Sequence, residues 1–197
     1  NTKTFTNAIL VNQNTPLSYP AFLPDYPETK DGWEFVGDNS GQWQYTDLGV
    51  YKGYQSIMLR GRGPSSDMYG KEYSIITPPY DFRNSTSPYF SFWYAYAQNA
   101  TSTSTTADEL SVQYTTNCGL TWNNLKAPVS GASLSTVGSA LSSTVNFVPV
   151  NDNQWKQITV LSSSIPKQEN VRFRVLYGYQ GGNNLRSEER RVGKEST

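Results

Sequence analysis

The chain predicts an all-β fold, an antiparallel sandwich of two packed sheets, and three observations predict it. Two stretches, Tyr89 to Tyr96 and Val171 to Tyr179, place apolar side chains at every second position, the signature of a half-buried strand. Roughly eight to ten short segments of strand character are separated by Gly, Pro, Asn and Asp turn signals. No segment carries a helical period. A length of 197 residues fits one such unit, because all-β sandwiches of about 200 residues routinely form a single domain. Hydrophobic content is only 36%, but aromatic content of 14% compensates, since each buried ring removes roughly 150–250 Å² from water.

In chain order, residues 1–30 are rich in Asn, Thr and Pro, with one apolar run at Ala8-Ile9-Leu10-Val11 that predicts a first strand. Trp33 to Val36 is a brief strand. Gly37-Asp38-Asn39-Ser40-Gly41 is a turn leading to Trp43 and Tyr45; its carboxylate and amide oxygens suit a hard cation such as calcium, and its composition equally suits a plain hairpin turn. Gln55 to Arg60 and Tyr73 to Ile76 are further strands. The Gly61-Arg62-Gly63-Pro64 run between them is no phosphate loop, lacking the Lys-Ser/Thr ending. Thr77-Pro78-Pro79 ends the second of these strands, because proline cannot donate to a ladder.

The central pair of strands is Tyr89 to Tyr96 and Glu109 to Tyr114. Phe90, Phe92, Tyr94 and Tyr96 share one face of the first, and Leu110, Val112 and Tyr114 share one face of the second. The Ser/Thr-rich loop 98–107 joins them. Sequons at Asn84 and Asn99 matter only in a source that glycosylates. Pro128 to Thr144 shows no period and reads as a long loop or a pair of short elements, with Leu134 and Leu141 as anchors. Trp155 to Leu161 and Val171 to Tyr179 close the set. In the latter Val171, Phe173, Val175, Tyr177 and Tyr179 face one way and Arg172, Arg174 and Leu176 the other. The whole points to a sandwich of jelly-roll type.

Composition excludes several functions. Formal net charge is zero with scattered basic residues, so no footprint for nucleic acid and no basic amphipathic face for a membrane exist, and no apolar run is long enough to span one. One cysteine, Cys118, and no histidine leave no internal disulfide, no ordinary zinc site and no histidine-activated nucleophile. Cys118 reads as a small residue in the turn before Trp122. Asp108 and Glu109 are adjacent, so on a strand they point to opposite faces and cannot flank a scissile bond. The start at Asn1 reads as a fragment of a longer protein.

The tail changes character. Arg186 to Glu195 resembles the conceptual translation of a sequencing-library adapter, which divides the chain into a single sandwich domain, residues 1–185, and a non-native tail, residues 186–197. Ser196 stands where that translation has a cysteine.

An ordered set of motifs carries a family resemblance. These are Gly41 with Trp43, Thr77-Pro78-Pro79-Tyr80-Asp81-Phe82, Phe90 to Ala97, Asp108 to Val112, Thr116-Asn117-Cys118-Gly119-Leu120-Thr121-Trp122, Phe147-Val148-Pro149 with Trp155, and Gly181-Gly182-Asn183-Asn184-Leu185. Together they resemble the MAM-like, cleaved-adhesin-like jelly-roll modules of secreted Bacteroidetes proteins, such as those that follow cytophagalysin-type metalloprotease domains. The resemblance implies a secreted or cell-surface, non-catalytic module whose last strand is here missing or replaced. It also implies a structural calcium, with Asp38 and Asp108 as candidate ligands and Asn39 and Glu109 as weaker ones.

Two function classes follow. The first is glycan or adhesin-like binding to a polysaccharide or cell-surface glycan, with Trp43, Tyr45, Tyr51 and Tyr54, near predicted turns, as candidate ligand-binding aromatics. Trp93, Trp122 and Trp155 are expected to be structural, as most aromatics in a sandwich are. The second is a spacer or protein-docking module beside a neighbouring catalytic domain of the parent protein. An enzyme is the least supported reading.

Overall fold

In the computed structural model, residues 21–22, 32–38, 43–51, 54–61, 68–99, 107–142 and 145–194 are described. Their strands are β1 (Ala21–Phe22), β2 (Glu34–Val36), β3 (Trp43–Thr46), β4 (Ser56–Leu59), β5 (Glu72–Ile76), β6 (Pro88–Tyr96), β7 (Glu109–Thr115), β8 (Asn123–Asn124), β9 (Val129–Ser130), β10 (Lys156–Val160), β11 (Arg172–Gly178) and β12 (Leu185–Lys194). A single turn of helix, α1, covers Gly131–Leu134. One sheet has the order β10-β6-β12-β4-β3, with β1 also on β12, and the other β2-β5-β11-β7-β8, with β9 also on β7. Every pair is antiparallel. The fold is the predicted all-β sandwich of jelly-roll type.

The core follows from the alternation. Phe90, Phe92, Tyr94 and Tyr96 of β6 face Phe173, Val175 and Tyr177 of β11, and all are buried. Phe90 stacks on Phe173 with centroids 4.7 Å apart, joining the two sheets near the start of β6 and of β11. Leu59, Leu110, Val112, Ile158 and Val160 fill the layer around them. Each such side chain stabilises the fold by about 1.5–3 kcal/mol through removal from water. A smaller cluster of Trp33, Ile57 and Ile75, with Phe35, Trp43 and Tyr45 against it, closes one edge of the sandwich.

The outer faces of the two sheets differ. Over β6 and its neighbours, Phe147, Trp155, Tyr51, Trp93, Val137 and Leu141 form a second apolar layer upon Ala95 and Ala97. No such cluster covers the outer face of β5-β11-β7 among the described residues.

Some segments depart from expectation. Pro128 to Thr144 holds two short elements, β9 and α1; Leu134 is fully buried and Leu141 makes a bridge to Asn99, so both leucines are anchors. Two-residue strands such as β8 and β9 carry too few positions for a period. The Ala8 to Val11 run lies outside the described residues. Asn99 is buried with its amide donating to the Gly181 and Gly182 carbonyls, so that sequon is inaccessible, whereas Asn84 is exposed.

The segment expected to be missing or replaced forms β12, which lies between β6 and β4 with Leu185 opposite Tyr96 and Leu59 and Arg186 opposite Ala95 and Met58. Its register shifts between Glu188 and Arg191. Arg186 is only 2% exposed. Its Nη1 donates to the Leu48 carbonyl at 2.7 Å, its Nε is buried without a partner, and no carboxylate pairs with it among the described residues. Burial pulls this guanidinium below its ordinary pKa. A buried cation without a counter-charge costs several kcal/mol, and an apolar side chain of similar reach removes that cost. Arg186→Met should therefore raise unfolding free energy by about 1–4 kcal/mol, read as a higher urea midpoint at unchanged m-value. A lower midpoint would show that the Leu48 hydrogen bond outweighs the buried charge.

Candidate functional site

The open face of the second sheet is set by register. Gly178 of β11 lies between Glu72 of β5 and Glu109 of β7. Two residues along, Leu176 lies between Ser74 and Ser111; two further, Arg174 lies between Ile76 and Gln113, with Asn124 beyond; then Arg172 lies opposite Thr115. Rows on one face are about 6.8 Å apart and strands about 4.8 Å, so these four rows run about 20 Å along the sheet. In the middle row the half-buried Leu176 stands between the short side chains of Ser74 and Ser111, and in the glutamate row Gly178 leaves the centre without a side chain. Nothing lies within 4 Å of the position that a Cβ on Gly178 would take, so the space above it is open. Glu72 and Glu109 stand exposed on either side at one end. At the other, Arg172 is neutralised by Glu34 at 2.7 Å and also donates to the Thr77 carbonyl.

Arg174 is held differently. Its Cζ lies 4.4 Å from the Trp122 ring centroid, and its Nε and Nη2 both donate to Gln113 Oε1, the former at 2.9 Å. Gln113 is oriented in turn by donating Nε2 to Asn124 Oδ1 at 2.9 Å. Trp122 is placed by the turn before it. Thr115 Oγ1 accepts from the Asn117 and Gly119 amides, and Asn117 Oδ1 accepts from the Thr121 amide, a side-chain-built turn of the kind Asn and Thr favour. Cys118 and Gly119 take positive φ, 57° and 88°, a conformation that favours glycine, and the Trp122 indole lies beside Gly119 at ordinary contact distance.

A second polar centre lies beneath the end of this face. Asp108, 2% exposed, accepts from Tyr96 and Tyr177 hydroxyls at Oδ2 and from the Gln180 and Gly182 amides at Oδ1. Gly182 is obligatory here, because a Cβ would collide with Asp108 Oδ2 and the Tyr96 hydroxyl. Burial raises the Asp108 pKa, opposed by these hydrogen bonds, and burial beside Asp108 also raises those of Tyr96 and Tyr177. Asn183 extends the network, donating to Asn99 and the Val145 carbonyl and accepting from the Phe147 amide.

The residues named from sequence do not converge. Trp43 and Tyr45 project inward from β3 into the edge cluster, Tyr45 edge-on to Phe35 at 6.2 Å. Tyr51 stacks on Trp93 at 4.4 Å on the opposite outer face, and Tyr54 is 74% exposed. Of the calcium candidates, Asp38 is engaged by Lys71 at 2.6 Å, Glu109 is exposed on the face opposite Asp108, and Asn39 lies outside the described residues. A calcium ion takes six to eight oxygen acceptors, whereas Asp108 is ringed by four donors, so these surroundings do not fit the ion. No group of three acidic or thiol side chains gathers among the described residues.

Sequence reading missed Arg174, Gln113 and Asn124 as site residues and took Trp122 as structural. The alternation of β11 and β7 already put Arg172, Arg174, Ser111 and Gln113 on the outer face, and that was the available signal. An apolar groove of about 440 Å³ also opens between Val137 to Leu141 and Val145 to Val150 on the covered side, without a converging set of charged groups.

A family model described as Reelin subrepeat B matches residues 66–187. No curated protein matches the chain in sequence. Among solved structures, a cleaved adhesin domain of Lys-gingipain from Porphyromonas gingivalis superposes with TM-score 0.53 at 14% identity, covering 84% of this chain and 92% of that one. A second cleaved adhesin domain of the same protein gives 0.52 at 14%, covering 83% and 92%. The CBM22-1 xylan-binding domain of Paenibacillus barcinonensis Xyn10C gives 0.52 at 13% identity, covering 92% and 99%. The shared feature is a cleaved-adhesin-like β-sandwich.

Removing the Asp108 carboxylate leaves two amides and two hydroxyls buried without an acceptor. Asp108→Ala should cost about 3–5 kcal/mol in urea unfolding, with Gly182→Ala also strongly destabilising. The pH dependence has a definite sign. Because the folded pKa lies above the ordinary aspartate value of about 3.9, the folded state holds this proton more tightly. Stability from this group therefore rises as pH falls from the raised folded pKa towards the unfolded one. In Asp108→Asn that component disappears, so the wild-type-minus-variant unfolding free energy should increase over that window; a decrease would mean that the hydrogen bonds outweigh burial.

Proposed function

The chain belongs to the Reelin subrepeat B family, and from that premise and the open sheet face we propose that it is a non-catalytic binding module, glycan-binding or adhesin-like, of a larger secreted bacterial protein. The observation that carries the reading is the long polar trough on β5-β11-β7. Gly178 lies between two carboxylates at one end, Leu176 lies between Ser74 and Ser111 in the middle, and Arg174, Gln113 and Asn124 lie towards the other end. A sugar chain offers hydroxyls along its length and apolar ring faces between them, and this face sets polar groups around one aliphatic side chain, Leu176. The trough spans about 20 Å, enough for several sugar rings.

The comparison structures support this reading by analogy of fold: one is a xylan-binding domain and two are adhesin domains. Fold analogy is a weak warrant by itself, which is why the trough carries the argument. The proposal that residues 186–197 are a non-native tail draws support from the uncompensated Arg186 in a central strand.

Affinity electrophoresis against a panel of soluble polysaccharides tests the site. Gly178→Phe fills the open floor and should abolish retardation by any glycan the wild type binds, and Gln113→Ala should weaken it by roughly fivefold. Tyr54→Ala should leave it unchanged. The reverse pattern, with loss in Tyr54→Ala and none in Gly178→Phe, would move the site to the 47–54 loop. No retardation of folded wild-type protein by any glycan would favour the spacer or protein-docking role.

A further inference from the structure

We infer that the trough selects acidic glycans, with a uronic acid carboxylate seated against Arg174; this rests on the glycan-binding reading above. Three observations carry it. Arg174 is immobilised entirely by neutral groups, Trp122 beneath and Gln113 at its side, while its neighbour Arg172 is neutralised by Glu34. Its Nη1 is neither buried nor hydrogen-bonded among the described residues. The guanidinium therefore offers a fixed charge without an ion pair among the described residues, the form in which arginine recognises a planar carboxylate.

The second observation concerns Trp122. One face of its ring is covered by the guanidinium and another part of its surface lies against Gly119. The indole thus serves as a cushion that orients Arg174 and is poorly placed to stack on a sugar. Recognition at this end falls to charge and hydrogen bonding. Asn124 and Gln113, in the same row, supply groups for the hydroxyls flanking a carboxylate.

The third is polarity. Glu72 and Glu109 stand two rows away, their backbones about 13 Å along the strands from Arg174; burial pulls the Arg174 guanidinium below its ordinary pKa, and the Glu72 charge opposes this. An anionic sugar is thereby repelled from the Gly178 end and drawn to the Arg174 end, which fixes its place in the trough. An acidic protein segment would meet the same charge, but Gln113 and Asn124 beside Arg174 add amide groups suited to the hydroxyls that flank a uronic acid carboxylate.

The test uses the full chain and matched ligands: polygalacturonate, glucuronoxylan and alginate, each beside its carboxyl-reduced neutral form, at low and at raised salt. The expected result is binding of at least one uronate polymer about tenfold tighter than its reduced form, weakening with salt. Arg174→Gln should remove that preference while near-UV circular dichroism stays unchanged, and Arg174→Lys should restore only part of it. Equal affinity for acidic and reduced forms would overturn the inference and leave the glycan reading standing. Binding of no glycan would overturn both. An acidic preference that persists in Arg174→Gln would overturn the assignment to this residue. Arg174-dependent binding of poly-glutamate without binding of any uronate polymer would replace the glycan by an acidic protein partner.

Discussion

The buried carboxylate of Asp108 is the constraint from which much of this sandwich is arranged. It stands at the entrance to β7, receives Tyr177 from β11 and Tyr96 from β6, and holds the amides of the turn that leads into β12. Both sheets and the crossing between them therefore meet at one charge. Burying a carboxylate carries a large desolvation cost, offset here by four donors, two of them backbone amides that would otherwise need other partners. Asn183 and Asn99 extend the arrangement to the segment around Phe147, which lies over the first sheet. The polar network thus fixes the turn between β11 and β12.

From that point the two outer faces acquire opposite characters. The first sheet presents small residues, Ala95 and Ala97, and a layer containing Trp155 and Phe147 lies down on them. The second presents arginines, glutamates, serines and a glycine around a single leucine, Leu176, from its central strands, and an apolar layer over it would bury those charges at a cost. The asymmetry is a direct result of strand parity: residues of β11 that face the core are Phe173, Val175 and Tyr177, so Arg172, Arg174, Leu176 and Gly178 face out.

Much of the fold was legible because β6 and β11 keep a strict period of two, so the residues facing the core were identifiable by position. The legible part of the site was the same parity, which placed Arg174 and Gln113 outward. What escaped was everything that depends on partners distant in sequence. Trp43 and Tyr45 looked like surface aromatics because they follow a turn, yet β3 pairs with β4 and turns them into the edge core. Asp108 was a candidate calcium ligand through the family resemblance, and sequence does not say that Tyr96, Tyr177 and two amides converge on it. Segments as short as β8 and β9 gave no period at all.

Trp122 shows most clearly why counting aromatics is a poor guide to a sugar-binding surface. A tryptophan near a turn can stack on a ligand only if a face of its ring is free, and here a cation already occupies one. The interaction works in the other direction: the ring holds Arg174 in place, Gln113 sets its plane, and the Thr115 to Trp122 turn holds the ring. Ordering a long arginine side chain costs conformational entropy, and that cost is met within the fold rather than at the moment of binding. A surface arginine so prepared has more to offer an anionic group than a mobile one of equal charge. The chemistry of this face is therefore set by the orientation of one guanidinium, with the aromatic in a supporting role.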